Sequence, residues 1–260
     1  MFSNNTLIFG DSFIGPFTLL KSNNLILKKF KGATMKGLTK PNHFNRQEIL
    51  KIINRHNHKI KCVIFMFGNV DFNFSIYYTK LIQKKEIELD SIVEKYIEFI
   101  DSIHCECQKI VFNVFPTTIE DKEIFGCLQN YGIIEKDILN NLSKEIKEEL
   151  SNHSFRFSYY KRFNNKLKEE CKKRNITFID LEKEFLDNDN KILNKYKDPE
   201  SPYNVHILWE PVIGLFVEKL RNCGLKKIFK DDPNKTLRNF ALEKKERMKY
   251  RLKNRYLLKK

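Results

Sequence analysis

The chain has 260 residues, of which 41% are hydrophobic and 31% are charged. This length accommodates one sizeable domain or two small ones, and the 22 Phe and 10 Tyr exclude the low-hydrophobicity composition of a disordered protein. No apolar run approaches the roughly 20 residues of a membrane-spanning helix, and the first residues lack the basic start and apolar stretch of a signal peptide. We therefore expect a globular cytoplasmic protein.

The formal net charge is +15. An excess of positive charge is typical of proteins that bind nucleic acid or another anionic surface. However, Lys, Asn, Ile and Phe are all abundant while Gly (9) and Pro (7) are scarce, a composition that a nucleotide-biased genome also produces. The charge alone leaves both interpretations open.

Six cysteines are scattered along the chain without the paired spacing of a metal site. We interpret them as reduced thiols that mostly fill the core, and we predict no metal or other cofactor. They are Cys62, Cys105, Cys107, Cys127, Cys171 and Cys223.

Short apolar runs alternate with amphipathic stretches along the chain. The predicted strands are Leu7–Phe9, Leu25–Leu27, Cys62–Phe67, Ile110–Phe115 and Thr177–Ile179. The predicted helices are about Arg46–Arg55, Asp90–Cys105, Ile134–Leu150 and Ser158–Lys173, with another after Trp209. This alternation predicts an α/β fold, a flavodoxin-like three-layer sandwich with a central parallel sheet.

The composition changes near Leu225. We assign residues 1–225 to one domain, because they contain neither an internal repeat nor a Gly/Ser-rich linker. Residues 226–260 are predicted to form a basic helical extension that starts near Pro233. It is either a terminal helix packed on the domain or an arm that binds nucleic acid or another anion. Its apolar stripe comprises Leu237, Phe240, Ala241, Met248, Leu252 and Tyr256.

Ligands of an open parallel sheet bind beyond the carboxyl ends of its strands. In this chain such positions hold Ser12 after the first strand, Gly32 after the second, and Asn69 and Asp71 after the third; His206 lies near the end of the domain. Acyl transfer needs a hydroxyl nucleophile, a base and hydrogen-bond donors for the oxyanion, and these positions supply each. The structural alternatives are a helix N-cap for Ser12, an ordinary turn for Gly32, a loop cap for Asp71 and a buried histidine for His206.

Taken together, these segments resemble the conserved blocks of the SGNH (GDSL-type) hydrolases. LIFGDSF is similar to the first block, Gly32 to the glycine of the second, FGNVD to the third, and His206 to the late histidine. The resemblance covers about Leu7 to Leu215 in the family's order. It implies a serine hydrolase of esters in which Ser12 attacks and His206 accepts the proton. Gly32, Asn69 and Asp71 are then the expected oxyanion- or substrate-binding residues.

Two positions depart from the family pattern. The third block usually reads Gly-x-Asn-Asp, whereas Asn69 comes one position early and Val70 stands in its place. The family's supporting Asp lies three residues before the histidine, where this chain has Tyr203. Asp198 or Glu200 could supply the missing carboxylate, or a backbone carbonyl could orient the ring. Otherwise the site is a dyad or is inactive.

The aromatic residues near the third block allow two interpretations. Phe72, Phe74, Tyr77 and Tyr78 could line a pocket for an acyl group or a sugar, or they could belong to the core.

The leading functional hypothesis is an esterase or acyl hydrolase that acts on a small ester, a lipid or an acetylated carbohydrate. One alternative is an inactive SGNH-like binding module. The other is a protein that binds nucleic acid or an anionic surface through its basic tail.

Overall fold

A computed structural model of the chain describes residues 5–20 and 24–225. A five-stranded parallel sheet with strand order β2-β1-β3-β4-β5 lies at its centre. The strands are β1 (Asn5–Gly10), β2 (Leu25–Lys29), β3 (Ile60–Met66), β4 (Gln108–Phe112) and β5 (Thr177–Ile179). The predicted α/β fold with a parallel sheet is thus confirmed.

The α-helices are α1 (Met35–Leu38), α2 (Phe44–His56), α3 (Leu89–Asp101), α4 (Ile124–Asn130), α5 (Lys136–Asn140), α6 (Lys144–Ser151), α7 (His153–Lys173), α8 (Glu182–Phe185) and α9 (Trp209–Leu220). Short 3-10 helices span Ser12–Leu19, Asn57–Lys59, Asp121–Glu123 and Asn194–Tyr196. Three π-helical turns span Asp71–Ser75, Tyr78–Ile82 and Arg221–Leu225.

Helices flank the sheet on both faces. On one side, α3 contacts α1 and α7. On the other, Phe17 of the first 3-10 helix and Phe216 of α9 pack against Phe112 of β4, with ring centroids 6.0 and 5.4 Å apart, respectively. The direction of the crossovers reverses after β2, so right-handed connections place the elements before and after it on opposite faces. The reversal creates a crevice beyond the carboxyl ends of β1 and β3.

The end of β4 and the division of one helix differ from the prediction, and α3 ends at Asp101 rather than at Cys105. The strand predicted to reach Phe115 stops at Phe112, because side chains bind the next backbone groups: Val114 N–H donates to Asn164 Oδ1 at 2.8 Å and Phe115 N–H to Asn69 Oδ1 at 2.9 Å. The helix predicted over Ile134–Leu150 is two helices, α5 and α6. The second begins anew at Ser143, whose Oγ caps it by accepting from Ile146 N–H.

The prediction of reduced thiols is wrong for one pair of cysteines. Cys105 and Cys107 form a disulfide in the loop between α3 and β4, where their Cα atoms lie 5.2 Å apart, within the usual range for a disulfide. Cys62, Cys127 and Cys171 are free and buried, as expected of core residues.

Every helix in the two described ranges is too short or too polar to cross a lipid bilayer. The predicted basic helix over 226–260 lies outside those ranges, so the domain boundary at Leu225 stays a prediction.

Candidate active site

The loop that carries Ser12 begins at Gly10, the last residue of β1. The backbone packs too closely on the neighbouring strand there for any side chain. A Cβ atom at Gly10 would lie 2.5 Å from the backbone oxygen of Met66 on the neighbouring strand β3. The next residue, Asp11, caps the following 3-10 helix by accepting from Phe13 N–H at 2.9 Å. Ser12 is the first residue of this helix and is half-buried. The cap fixes Ser12 at the carboxyl end of β1, the position that the sequence predicts.

Two buried carboxylates tie the site loops together. Asp11 also accepts from Val70 N–H in the loop after β3, at 3.4 Å. Asp71 of that same loop accepts from the N–H groups of Met35 and Lys36 at 2.7 and 3.3 Å and so holds the start of α1. Burial raises the pKa of Asp11 to about 7 and that of Asp71 to about 6, although backbone hydrogen bonds oppose the shift. The loops after β1, β2 and β3 therefore form one hydrogen-bonded unit.

His206 lies against Ser12, although 194 residues separate them in sequence. Its Nε2 is 2.8 Å from Ser12 Oγ, a hydrogen-bond distance. The imidazole packs on the ring of Phe13, with centroids 4.7 Å apart. Burial, together with the positive charge of Lys29, lowers the pKa of His206. A hydroxyl and a largely neutral imidazole are thus in direct contact.

An asparagine holds the other side of the imidazole. Asn204 Oδ1 lies 3.2 Å from His206 Nδ1, and Asn204 Nδ2 donates to Asp198 Oδ2, also at 3.2 Å. The Asn204 backbone oxygen accepts from Thr118 Oγ1 at 2.7 Å, which anchors the segment. Sequence reasoning missed Asn204, since it is two residues before the histidine rather than three and its side chain is an amide.

Neither Tyr203, which stands where the family has its supporting Asp, nor Glu200, the other carboxylate considered, is bonded to the imidazole of His206. The Tyr203 ring lies against α4, where a Cβ atom at Gly126 would come within 2.7 Å of its hydroxyl oxygen. Glu200 is exposed, and its backbone N–H donates to Asp198 Oδ1 at 3.1 Å. No hydrogen bond or ion pair joins its carboxylate to a residue that the structure describes.

Ser12 and His206 line an open cavity of about 520 Å³. The side of the cavity nearest the imidazole is polar and contains Asp198 and Asn204. The rest of the wall combines apolar with charged residues, namely Lys29, Lys31, Ile207, Leu208, Trp209 and Glu210. Trp209 packs closely on the first 3-10 helix, where a Cβ atom at Gly15 would lie 2.5 Å from the indole ring. Such a wall offers both apolar surface and charge to a bound ligand.

The predicted oxyanion residues do not line this cavity. Gly32 is exposed and adopts a φ of +73°, which suits a turn glycine. Asn69 is fully buried; its Oδ1 accepts from Phe115 N–H, and its Nδ2 has no hydrogen-bond partner among the described residues. Asp71 anchors α1, as described above. A role for any of them in binding the oxyanion stays a prediction.

The aromatic residues near the third block do not line the Ser12 cavity either. Phe72 and Tyr77 are buried in the core, and Phe74 packs beside Tyr131 with ring centroids 4.8 Å apart. Tyr78 is exposed. Of the two interpretations considered, the core is correct for Phe72 and Tyr77.

No protein-family model and no curated protein sequence matches the chain. Solved structures do match it. A Streptococcus pneumonia protein named after platelet activating factor aligns with a TM-score of 0.53 and 12% identity, over 85% of this chain and 83% of that one. A GDSL-like lipase from Bacteroides thetaiotaomicron aligns with a TM-score of 0.50 and 13% identity, over 85% and 89%. A carbohydrate acetylesterase family member from Sinorhizobium meliloti has a TM-score of 0.48 and 11% identity, over 87% and 100%.

At such low identity the first two alignments establish a common fold, which spans most of each chain. That fold agrees with the parallel sheet of the described residues. The chain therefore has the SGNH (GDSL-type) hydrolase fold, with a sequence that diverges widely from those of the solved examples.

Proposed function

We propose that the protein is a serine hydrolase of ester bonds, with Ser12 as nucleophile and His206 as general base. The observation that carries the proposal is the 2.8 Å contact between Ser12 Oγ and His206 Nε2. A serine hydroxyl is a weak nucleophile until an adjacent base accepts its proton. The contact lies in an open cavity beyond the carboxyl ends of the strands, where an α/β fold binds its ligands.

The proposed reaction has two halves. Ser12 Oγ attacks the carbonyl carbon as His206 Nε2 takes its proton, and the tetrahedral intermediate then expels the alcohol, which receives that proton from Nε2. A water molecule next attacks the acyl-serine while Nε2 accepts a proton from the water. Collapse of the second intermediate releases the carboxylic acid and returns the proton to Ser12 Oγ.

The oxyanion needs donors beside Ser12. Because Ser12 is the first residue of its helix, its N–H has no acceptor within that helix and lies at the positive end of the helix dipole. We assign this N–H as the principal donor. Gly32 N–H and Asn69 Nδ2 are further proposed donors, which would require the loops to adjust on substrate binding.

The substrate class follows from the cavity wall. Leu208 and Trp209 present apolar surface suited to an acyl chain or to the face of a sugar ring. We propose an ester of a small molecule, a lipid or a carbohydrate.

Covalent labelling tests the assignment of the nucleophile. A fluorophosphonate probe should form one adduct, and peptide mass spectrometry should locate it on Ser12, since only a base-activated serine reacts readily. Ser12→Ala should abolish labelling. Ser158→Ala, which removes an exposed hydroxyl on α7, is the control and should label normally. An unlabelled wild-type protein would instead indicate a binding module without hydrolase activity.

The activity should depend on the ionisation of His206. Since only neutral imidazole accepts a proton, kcat/KM should rise with pH through a midpoint below 6.5, the ordinary pKa of histidine. Lys29→Gln removes a nearby positive charge, so it should raise the pKa of His206 and move the midpoint upward. Lys51→Gln, at an exposed position on α2, is the matched control. A kcat/KM that does not fall as the pH is lowered through this range would contradict the assignment of His206 as the base.

A further inference from the structure

Three hydrogen bonds converge on the side-chain amide of Asn204. The amide oxygen accepts from the backbone N–H of His206 at 3.1 Å and faces the ring nitrogen Nδ1 at 3.2 Å. The amide nitrogen donates to Asp198 Oδ2 at 3.2 Å. The amide therefore lies between the imidazole and a carboxylate.

The two neighbours of the amide fix its orientation. A backbone N–H only donates, so the amide atom beside it must be the oxygen. An ionised carboxylate only accepts, so the atom beside Asp198 must be the NH₂ group. Flipping the amide would set NH₂ against the N–H and the oxygen against the carboxylate, which would break both bonds.

This orientation determines which nitrogen of His206 carries the proton. Because Asn204 Oδ1 can only accept, the Nδ1 atom that faces it must be protonated in the neutral ring. The lone pair of Nε2 then points at Ser12 Oγ, 2.8 Å away. That tautomer is the one in which His206 can accept the proton of Ser12.

We propose that Asn204 and Asp198 are positioning residues that together replace the carboxylate found beside the histidine in related enzymes. This inference rests on the proposed function. Asn204 holds the active tautomer of His206, and Asp198 holds the amide of Asn204 in the required orientation. The pair thereby orients the base without placing a negative charge directly on the imidazole.

Backbone contacts fix both side chains before a substrate arrives. Asp198 Oδ1 accepts from Glu200 N–H at 3.1 Å, and Asn204 N–H donates to the Ser201 backbone oxygen at 3.0 Å. These two bonds and the bond from Thr118 Oγ1 to the Asn204 backbone oxygen set the spacing between the Asp198 carboxylate and the Asn204 side-chain amide.

The tautomer is measurable without any turnover. In protein labelled with ¹⁵N-histidine, with the His206 signals identified from a His206→Gln sample, neutral His206 should carry its proton on Nδ1. Asn204→Ala should yield a mixture of tautomers and lower kcat about tenfold or more, with little change in KM. Asn194→Ala, an exposed asparagine just before this segment, is the matched control. A wild-type ring protonated on Nε2 would overturn the proposal.

Exchanging the two side chains gives a second, independent test. Asn204→Asp alone sets two carboxylates against each other and should be impaired, because one must take up a proton. Adding Asp198→Asn places an amide donor at position 198 opposite the carboxylate at position 204. The negative charge of that carboxylate then lies directly beside the imidazole of His206. The double variant should recover at least wild-type kcat and move the pH midpoint upward by about one unit.

Failure of this proposal differs visibly from failure of the proposed function. If Asn204→Ala retains the wild-type tautomer and kcat, or if the double variant leaves the pH midpoint unmoved, the positioning role is refuted even though Ser12 still reacts with the probe. If wild-type Ser12 does not react, the hydrolase function itself is refuted, and the positioning role in catalysis with it.

Discussion

Ser12→Ala is expected to lower kcat for a short p-nitrophenyl ester by about 10⁴-fold or more, leaving only the residual catalysis of the oxyanion donors and the binding site. The substitution removes the protein atom that bonds covalently to the acyl group in the proposed reaction. The fold should persist, because Asp11 rather than Ser12 caps the helix and links the loops. Release of p-nitrophenol measures the rate, and circular dichroism confirms that the variant is folded.

Ser158→Ala is again the appropriate comparison, since it removes a hydroxyl on an exposed part of α7. We expect it to hydrolyse the ester at the wild-type rate. Wild-type activity in Ser12→Ala would show that Ser12 is not the nucleophile.

Glu170→Gln is expected to produce a large loss of stability. Glu170 is only 1% exposed, and its carboxylate bonds to Lys166 and Lys173, both at 2.8 Å, and to Arg174. Burial by itself would raise the pKa of Glu170, but the bonds from the three cations more than offset it and lower the pKa to about 2. Glutamine cannot match three cationic donors, so Lys166 loses its carboxylate partner, whereas Lys173 keeps Glu169 and Arg174 keeps Glu98.

The loss of stability caused by Glu170→Gln should depend on pH between about 2 and 4.5. Because the pKa of Glu170 is lower in the folded state than its ordinary value of 4.5, its contribution is fully present above pH 4.5 and is lost as the pH falls toward 2. At about 1.4 kcal/mol per pKa unit, Glu170→Gln should lower the free energy of unfolding by about 3 kcal/mol at neutral pH. Urea denaturation across this pH range measures the difference.

Glu169→Gln is the matched control, because Glu169 is more than half exposed and, within residues 5–20 and 24–225, pairs only with Lys173. An exposed ion pair contributes about 1 kcal/mol or less. Equal decreases in the free energy of unfolding of Glu170→Gln and Glu169→Gln would contradict the role assigned to burial at Glu170.

The sequence contained enough information to predict the sheet. The strands contain short apolar runs, which in β1 and β3 are buried along almost their whole length, and such runs are recognisable without knowledge of their neighbours. The early end of β4 was not predictable, because it depends on Asn69 and Asn164 binding the backbone from distant segments. Similarly, the division of α5 from α6 depends on the cap at Ser143, which periodicity does not detect.

Prediction of the site succeeded where a residue directly follows a strand. The topology brings the loops after β1 and β3 to one edge, and Ser12 lies there as expected. The contact of His206 with Ser12 was anticipated only through the resemblance, since a lone histidine carries no local signal. The amide of Asn204 was missed because its role arises from an irregular loop, in which sequence spacing does not determine direction.

The tight packing of Trp209 against Gly15 has a practical consequence. Trp209 is the sole tryptophan among the 260 residues, and it forms part of the wall of the Ser12 cavity. Selectively excited indole emission from the unlabelled protein therefore arises at the site itself. A ligand that enters the cavity displaces water beside this ring and alters its surroundings. Titration of the native emission thus reports binding directly and follows even esters that are turned over too slowly for a colorimetric assay.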